Sequence, residues 1–241
     1  MHTMQIVCLS QEIAAYQSMD AIANNLANLS TAGFKREEPQ FEEYLAHVGA
    51  TPRQPLSLVQ QASSYRDTSA GPLEMTHAPF DLAINGNGFF VIQTANGPRY
   101  TRDGHFSLDA SGRIVTAAGD PLQGEGGDIQ VSSNDGDVHV ASDGTVSGEK
   151  GQIGHLQLAD FADDSALTKE GGSLYATSQA PQTPANARIQ QGAIEGSNVN
   201  AVVEISHMIE VMRSFQATSG LSESHSTLMR QAIDKLATTQ S

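Results

Sequence analysis

Tryptophan is absent from the 241-residue sequence, cysteine occurs once, and aromatic residues make up only 5% of it. So small an aromatic share argues against an enzyme with a deep aromatic pocket, and the 22 glycines point instead to many turns around a modest β core. The lone Cys8 cannot form an intramolecular disulfide. On a periodic apolar helix it reads as a small buried hydrophobe. Basic residues are also scarce: 13 Lys and Arg stand against 27 Asp and Glu, a formal net charge of -14. That balance argues against a phosphate-binding surface for nucleic acid and for a chain kept soluble by self-repulsion. No apolar run approaches a membrane span. The first ten residues lack the basic and apolar regions of a signal peptide, which by composition alone points to the cytoplasm.

Motifs for catalysis and metal binding are missing as well. Asn85-Gly86-Asn87-Gly88 is glycine-rich but precedes a strand, whereas a phosphate-cradling loop follows a strand and opens a helix. Ser133-Asn134-Asp135-Gly136-Asp137 has calcium-like carboxylate spacing without the distal Glu of an EF-hand loop, and reads as a turn. The eight histidines form no cluster at metal spacing. No nucleophile, base and orienter stand together. The sequence is therefore read as non-enzymatic, with no catalytic residue, cofactor, metal or small-molecule substrate.

What is present begins and ends with helices. Leu9, Ile13, Tyr16, Met19, Ala23, Leu26 and Leu29 recur every three or four positions, the spacing of one helical face. Asp20, Asn24 and Asn28 form a polar row beside it, joined by Asn25. Three asparagines within five positions suit a helix poorly, because the amide competes for backbone groups. They imply hydrogen bonds outside the helix, and in coiled coils such amides fix register. Ser30-Thr31-Ala32-Gly33 ends the periodicity, with Gly33 suited to a left-handed helix stop and Lys35 and Arg36 just beyond it. The helical period returns at Asn200, with Asn198 or Asn200 as cap and Glu204 near the N-terminus. Val202, Ile205, Ile209 and Met212 give a heptad-like seam with Phe215 beside it. After a Ser-rich stretch containing Gly220, Leu228, Met229, Ile233 and Leu236 resume it.

Between the helices the period changes. Residues 37–73 read as a linker or extended arm in which Phe41, Tyr44, Leu45 and Val48 allow a helical turn or two, while Pro39, Pro52 and Pro55 prevent a long helix. From Asp81 short apolar runs alternate with turn residues. Gly88–Gln93 is a strand, and Asn96-Gly97 is a hairpin signal leading into Arg99–Thr101. Asp109-Ala110-Ser111-Gly112 joins a second hairpin between His105–Leu108 and Arg113–Thr116. Further strands are expected at 129–131, 138–141, 145–147 and 155–159, at spacings typical of small sandwiches and barrels. Pro181 and Pro184 mark the exit from this region.

Three stretches carry a resemblance. Residues 22–36, IANNLANLSTAGFKR, resemble the N-terminal signature of the flagellar rod and hook axial proteins. Residues 192–216, GAIEGSNVNAVVEISHMIEVMRSFQ, resemble the family's C-terminal signature, and residues 81–124 match its central segment. Length and the Pro-rich segment after the first helix look most like the proximal-rod member, with a distal-rod or hook-type subunit as the alternative. The resemblance implies an α+β fold whose N- and C-terminal helices pair as a coiled-coil-like region around the inner wall of a tube, with a central antiparallel β domain, sandwich or barrel-like, facing outward. The expected divisions are an assembly helix at 1–34, a linker or extended arm at 35–74, a β domain at 75–190 and a second assembly helix at 191–241. It further implies a structural subunit that polymerises into the periplasm-spanning drive shaft and transmits torque for motility. Such a subunit leaves the cell without a cleavable signal peptide, through the flagellar export apparatus. Its partners are identical copies and adjoining rod proteins. The assembly interface is expected at Leu9, Ile13, Tyr16, Asn24, Asn25, Leu26, Asn28, Val202, Ile209, Met212, Phe215, Met229 and Ile233, with the asparagines setting register. From a different class, a periplasmic β-rich binding module supported by helices is the rival reading.

Overall fold

The computed structural model of the chain describes residues 2–46, 56–132, 134–163, 166–171 and 173–238. The chain divides into two compact units: a helical one made of residues 1–27, 37–66 and 200–241, and a β one made of 28–36 and 67–199.

In the helical unit, α1 spans His2–Ala27 and α2 spans Ala201–Thr238. Asn200 is the residue that caps α2: its Oδ1 accepts the N–H groups of Val202 at 3.0 Å and Val203 at 3.3 Å, two donors that a helix start leaves without partners. The Ser-rich stretch and Gly220 do not break α2, which is one helix of 38 residues, about 57 Å long at the α-helical rise. Tyr16 meets Phe215 edge-to-face with ring centroids 5.0 Å apart, and Asn25 reaches Glu204. Rising numbers in α1 therefore meet falling numbers in α2, and the helices pack antiparallel. Continuing that register 14 residues back from Tyr16 to His2 leads 14 on from Phe215 to Met229. The last turns of α2 run past the start of α1.

After Arg36 the chain is extended and does not form the helical turn or two that Phe41, Tyr44 and Leu45 allow. Strands β1 (Glu37–Ala46) and β2 (Leu56–Arg66) form a two-stranded antiparallel ribbon with a register shift at Gln40/Phe41, and α1 packs against both strands. Pro39 sits within β1, tolerable in a ribbon where few backbone N–H groups are needed. Val48, Pro52 and Pro55 lie outside the described residues. Isolated two-stranded ribbons are marginal in water, so the helix that packs on this one is part of its stability.

The β unit is built from short antiparallel pairings. Strand β3 (Leu73–Met75) pairs with residues 193–195, and β4 (Leu82–Asn85) with 188–191, so the unit is closed by strands distant in sequence. Strand β5 (Phe89–Thr94) and β6 (Gly97–Thr101) form the hairpin at the centre of a five-stranded sheet completed by residues 158–159, 174–176 and 168–169. Gly97, at φ 100°, takes the positive-φ position that follows the Ala95-Asn96 turn. The apolar run Phe89-Phe90-Val91-Ile92 is continuous because both faces of this strand are covered. Phe90 and Ile92 join a core with Leu82, Ile84, Leu122 and Val146, whereas Phe89 and Val91 face a second cluster with Tyr100, Phe161 and Tyr175. Residues 139–140, 145–148 and 151–155 make a three-stranded sheet. Ile129 and Val131 are core residues, but Gln130 between them makes only an isolated bridge to Arg113 rather than the expected strand. The region is antiparallel and β-rich, and among the described residues its sheets do not close into a barrel. No helix of the described residues is long and apolar enough to cross a membrane.

Candidate assembly surface

Asn25 organises the helical unit. Its side chain is 1% exposed and behaves as a piece of backbone: Oδ1 accepts the Glu37 N–H at 3.0 Å while Nδ2 donates to the Glu37 carbonyl at 2.8 Å. Nδ2 also donates to Glu204 Oε2 at 3.2 Å, and Glu204 is itself fully buried in the first turn of α2. One amide thus joins α1, β1 and α2 inside a single chain. Glu204 gains both from that donor and from the helix N-terminus it occupies. The other two asparagines act differently. Asn28 accepts the Thr31 hydroxyl at 3.1 Å just after α1 ends, and Asn24 is exposed.

The expected packing residues are placed unevenly. Leu9, Ile13 and Tyr16 are exposed, and with Ile6 they form an i, i+3, i+7, i+10 stripe along α1. Val202, Ile205, Ile209 and Met212 repeat that spacing along α2 and are likewise exposed. Leu26, Phe215 and Met229 are half-buried, and the side chain of Ile233 lies outside those described. The residues of α1 that this chain does bury, Cys8, Ile22 and Asn25, lie away from the exposed stripe. Of the expected set, the fold brings Tyr16 to Phe215, and Asn25 to the N-terminal turn of α2. Leu221, Leu228 and Leu236 are exposed as well, but at 3.6 residues per turn they lie on the side of α2 away from that stripe.

The β unit holds an arrangement that sequence reasoning did not find. Lys35, read from sequence as a cation just past a helix end, is buried, and its Nζ lies 2.6 Å from Glu195 Oε1. Arg102 NH1 lies 3.1 Å from Glu195 Oε2, so one carboxylate takes two cations. The remaining valences are largely used. Lys35 donates to the Ser69 carbonyl at 2.7 Å, Arg102 to the carbonyls of Ile84 and Gly86, and the Gly71 N–H to Glu195 Oε1. The Phe89 ring lies 5.4 Å from the guanidinium carbon. Burial pulls Lys35 below its ordinary value, with the attraction of Glu195 opposing it. Beside the cluster, Gly33 donates its N–H to the Glu195 carbonyl at 2.7 Å. At φ 65°, a Cβ on Gly33 would stand 2.4 Å from the Arg102 carbonyl carbon, so only glycine fits.

Three segments of the chain match known families. Residues 13–35 match the flagella basal body rod protein family, 83–148 the D1 domain of the flagellar hook proteins FlgE/F/G, and 190–235 the C-terminal region of the flagellar basal body rod FlgEFG proteins. Over 95% of its length the chain is 37% identical to the flagellar basal-body rod protein FlgF of Caulobacter vibrioides, covering 96% of that protein. The chain belongs to the flagellar basal-body rod protein family. Within that family it is also similar to FlgF of Mesorhizobium japonicum, at 32% identity over 95% of this chain and 96% of that one. FlgG of Bacillus subtilis is 30% identical over 90% and 92% of the two chains. The family is structural, not enzymatic. The matched segments contain Asn25, Lys35, Arg102, Glu195 and Glu204, the residues that make the two polar junctions.

Proposed function

We propose that this chain is a subunit of the proximal part of the flagellar rod and that it assembles through its terminal helices. The observation that carries this reading is the pair of exposed apolar stripes with the same spacing, Ile6–Leu9–Ile13–Tyr16 on α1 and Val202–Ile205–Ile209–Met212 on α2. A stable monomer does not keep that much large apolar side chain in water along two helices, and a partner surface relieves it. Most of these side chains are about half exposed, so covering what remains of one is worth roughly 1 kcal/mol. Neighbouring copies and adjoining rod proteins are the partners, packed in coiled-coil-like fashion at Leu9, Ile13, Leu26, Val202, Ile209, Met212, Met229 and Ile233. Stacked through surfaces that are not self-complementary, the subunits build an open helical shaft rather than a closed ring. The shaft spans the periplasm and transmits torque, and its subunits reach it through the flagellar export apparatus.

Similarity to rod proteins named FlgF at 37% and 32% identity supports the proximal position. The similarity to proteins named FlgG, from 30% to 36% identity, keeps a distal-rod position as the second reading. A carbohydrate-binding module is not favoured: the depression of the β unit beside Pro79, Leu108 and Asp109 offers Phe80 as its one aromatic ring, and Asp109 is engaged with Ser111 and Arg113 of its own turn. Photo-crosslinkers at Ile13 and Ile209 in intact basal bodies test the proposal. Adducts to identical copies and to rod proteins are expected. Adducts confined to the same chain would contradict it.

A further inference from the structure

The buried ion cluster of the β unit takes no part in the exposed stripes, and its position in the chain gives it a different task. The chain passes into or out of this unit at four places: after Ala27, after Arg36, after Arg66 and after Val199. The stretches next to these passages are bonded to one another. Arg36 donates its N–H to Asn198 Oδ1 at 2.7 Å and accepts the Asp67 N–H at 2.9 Å through its carbonyl. Asn198 Nδ2 donates to the Asp67 carbonyl at 2.9 Å, and the Gly196 N–H to the Pro72 carbonyl at 2.8 Å. Lys35 and Glu195 pair at the middle of this knot, and Arg102 ties it to the sheet through Ile84 and Gly86. Three of the four connections are therefore fastened beside the cluster directly, and the fourth, which enters after Ala27, is fastened at Gly33, whose N–H donates to the Glu195 carbonyl at 2.7 Å.

We propose that the Lys35–Glu195–Arg102 cluster is the fastening through which mechanical load enters the β unit of the assembled subunit. This rests on the rod reading above and deepens it. Force applied along any of the four connections reaches the knot before it reaches the strands behind it. Burial keeps water from exchanging with the ion pairs, and each cation fastens a different segment to the one carboxylate, Lys35 the stretch before β1 and Arg102 the sheet, so both are needed to carry load through it. Glu195 is thus a positioning residue for load rather than a contact residue for assembly.

The test compares full-length Glu195→Gln and Lys35→Met with Val146→Ala in cells lacking the natural chain. Val146 is buried in the same unit, and its neighbours place it in the core rather than in the knot. Each variant is measured for melting temperature as purified chain, for abundance in isolated basal bodies, and for swimming as medium viscosity is raised. Both cluster variants are expected in basal bodies at natural abundance, swimming normally in dilute medium and losing motility in viscous medium, while Val146→Ala swims on at an equal or larger drop in melting temperature. Equal loss under load for Val146→Ala, or none for the cluster variants, would overturn the proposal, because the cluster would then contribute stability alone. Failure of both cluster variants to fold would also overturn it, since the cluster would be a folding requirement. Absence of the natural chain from basal bodies would contradict the rod reading itself.

Discussion

Phe90, Ile92, Leu122 and Val146 of the β unit are 0% exposed, whereas Leu9, Tyr16, Val202 and Leu228 of the helical unit are 56%, 55%, 74% and 65% exposed. Both units come from one chain, and both are held by a buried polar junction, Glu195 in one and Asn25 in the other. The difference lies in where the apolar side chains find cover. In the β unit, alternation along β5 sends successive residues into two separate cores, so the unit buries its own surface. In the helical unit one face of α1 is used within the chain and another carries apolar residues into solvent. The first unit is a folding solution. The second is a surface made for something else.

The largest effect that sharpens this contrast comes from one truncation in each unit. Phe90→Ala should cost roughly 3–5 kcal/mol of unfolding free energy in the purified chain, because it empties a filled core. Val202→Ala should stay within about 0.5 kcal/mol, as expected of a surface change, yet reduce recovery of the chain in basal bodies. Denaturant titration measures both stabilities. A large loss for Val202→Ala would mean that the helical unit also covers its own apolar surface.

A smaller effect is expected at Asn25. Its replacement by Ala raises intrinsic helix propensity but strips a partner from the Glu37 N–H, one from the Glu37 carbonyl and one from the Glu204 carboxylate, at roughly 1–3 kcal/mol for each buried polar group left short. The net result should be a less stable helical unit with the β unit unchanged. Hydrogen exchange read separately over 2–27 and 89–101 shows whether the loss is confined in this way. Equal loss of protection in both would break the distinction between the units.

The smallest effect concerns Asp103, which burial raises above its ordinary value near 3.8. Its folded form holds a proton that the unfolded chain has released in the window just above 3.8. Stability is therefore present below that value and lost as pH rises through the folded value. Asp103→Asn keeps an Oδ1 acceptor for the His105 N–H, now bonded at 3.0 Å, and removes the charge. Thermal unfolding should show the variant more stable than the natural chain at neutral pH and no better below 3.8. The same gain at both would mean that the carboxylate charge is not the cause.

Much of this architecture is written in local pattern, and the rest is in distance. The period of α1 and α2, the β5–β6 hairpin and the turn at Asp109–Gly112 follow from spacing and turn chemistry within a few residues. Residues 37–46 did not declare themselves, because Phe41, Tyr44 and Leu45 fit a helical turn as well as a strand, and pairing with β2 decided between them. The asparagines of α1 were conspicuous as poor helix residues, yet nothing local says that Asn25 alone turns inward to Glu37 and Glu204. The Glu195 cluster was hidden for the same reason. Its partners lie 160 and 93 residues away, and a periodic reading gives Lys35 no reason to be buried.

The exposed helical face is either covered only in the rod or already covered in the free chain. Val202→Cys in a Cys8→Ala background carries one thiol on that face, and maleimide labelling can be followed on the purified chain and on isolated basal bodies. Rapid labelling of the free chain and protection in basal bodies is the predicted result. Equal labelling in both states would contradict it.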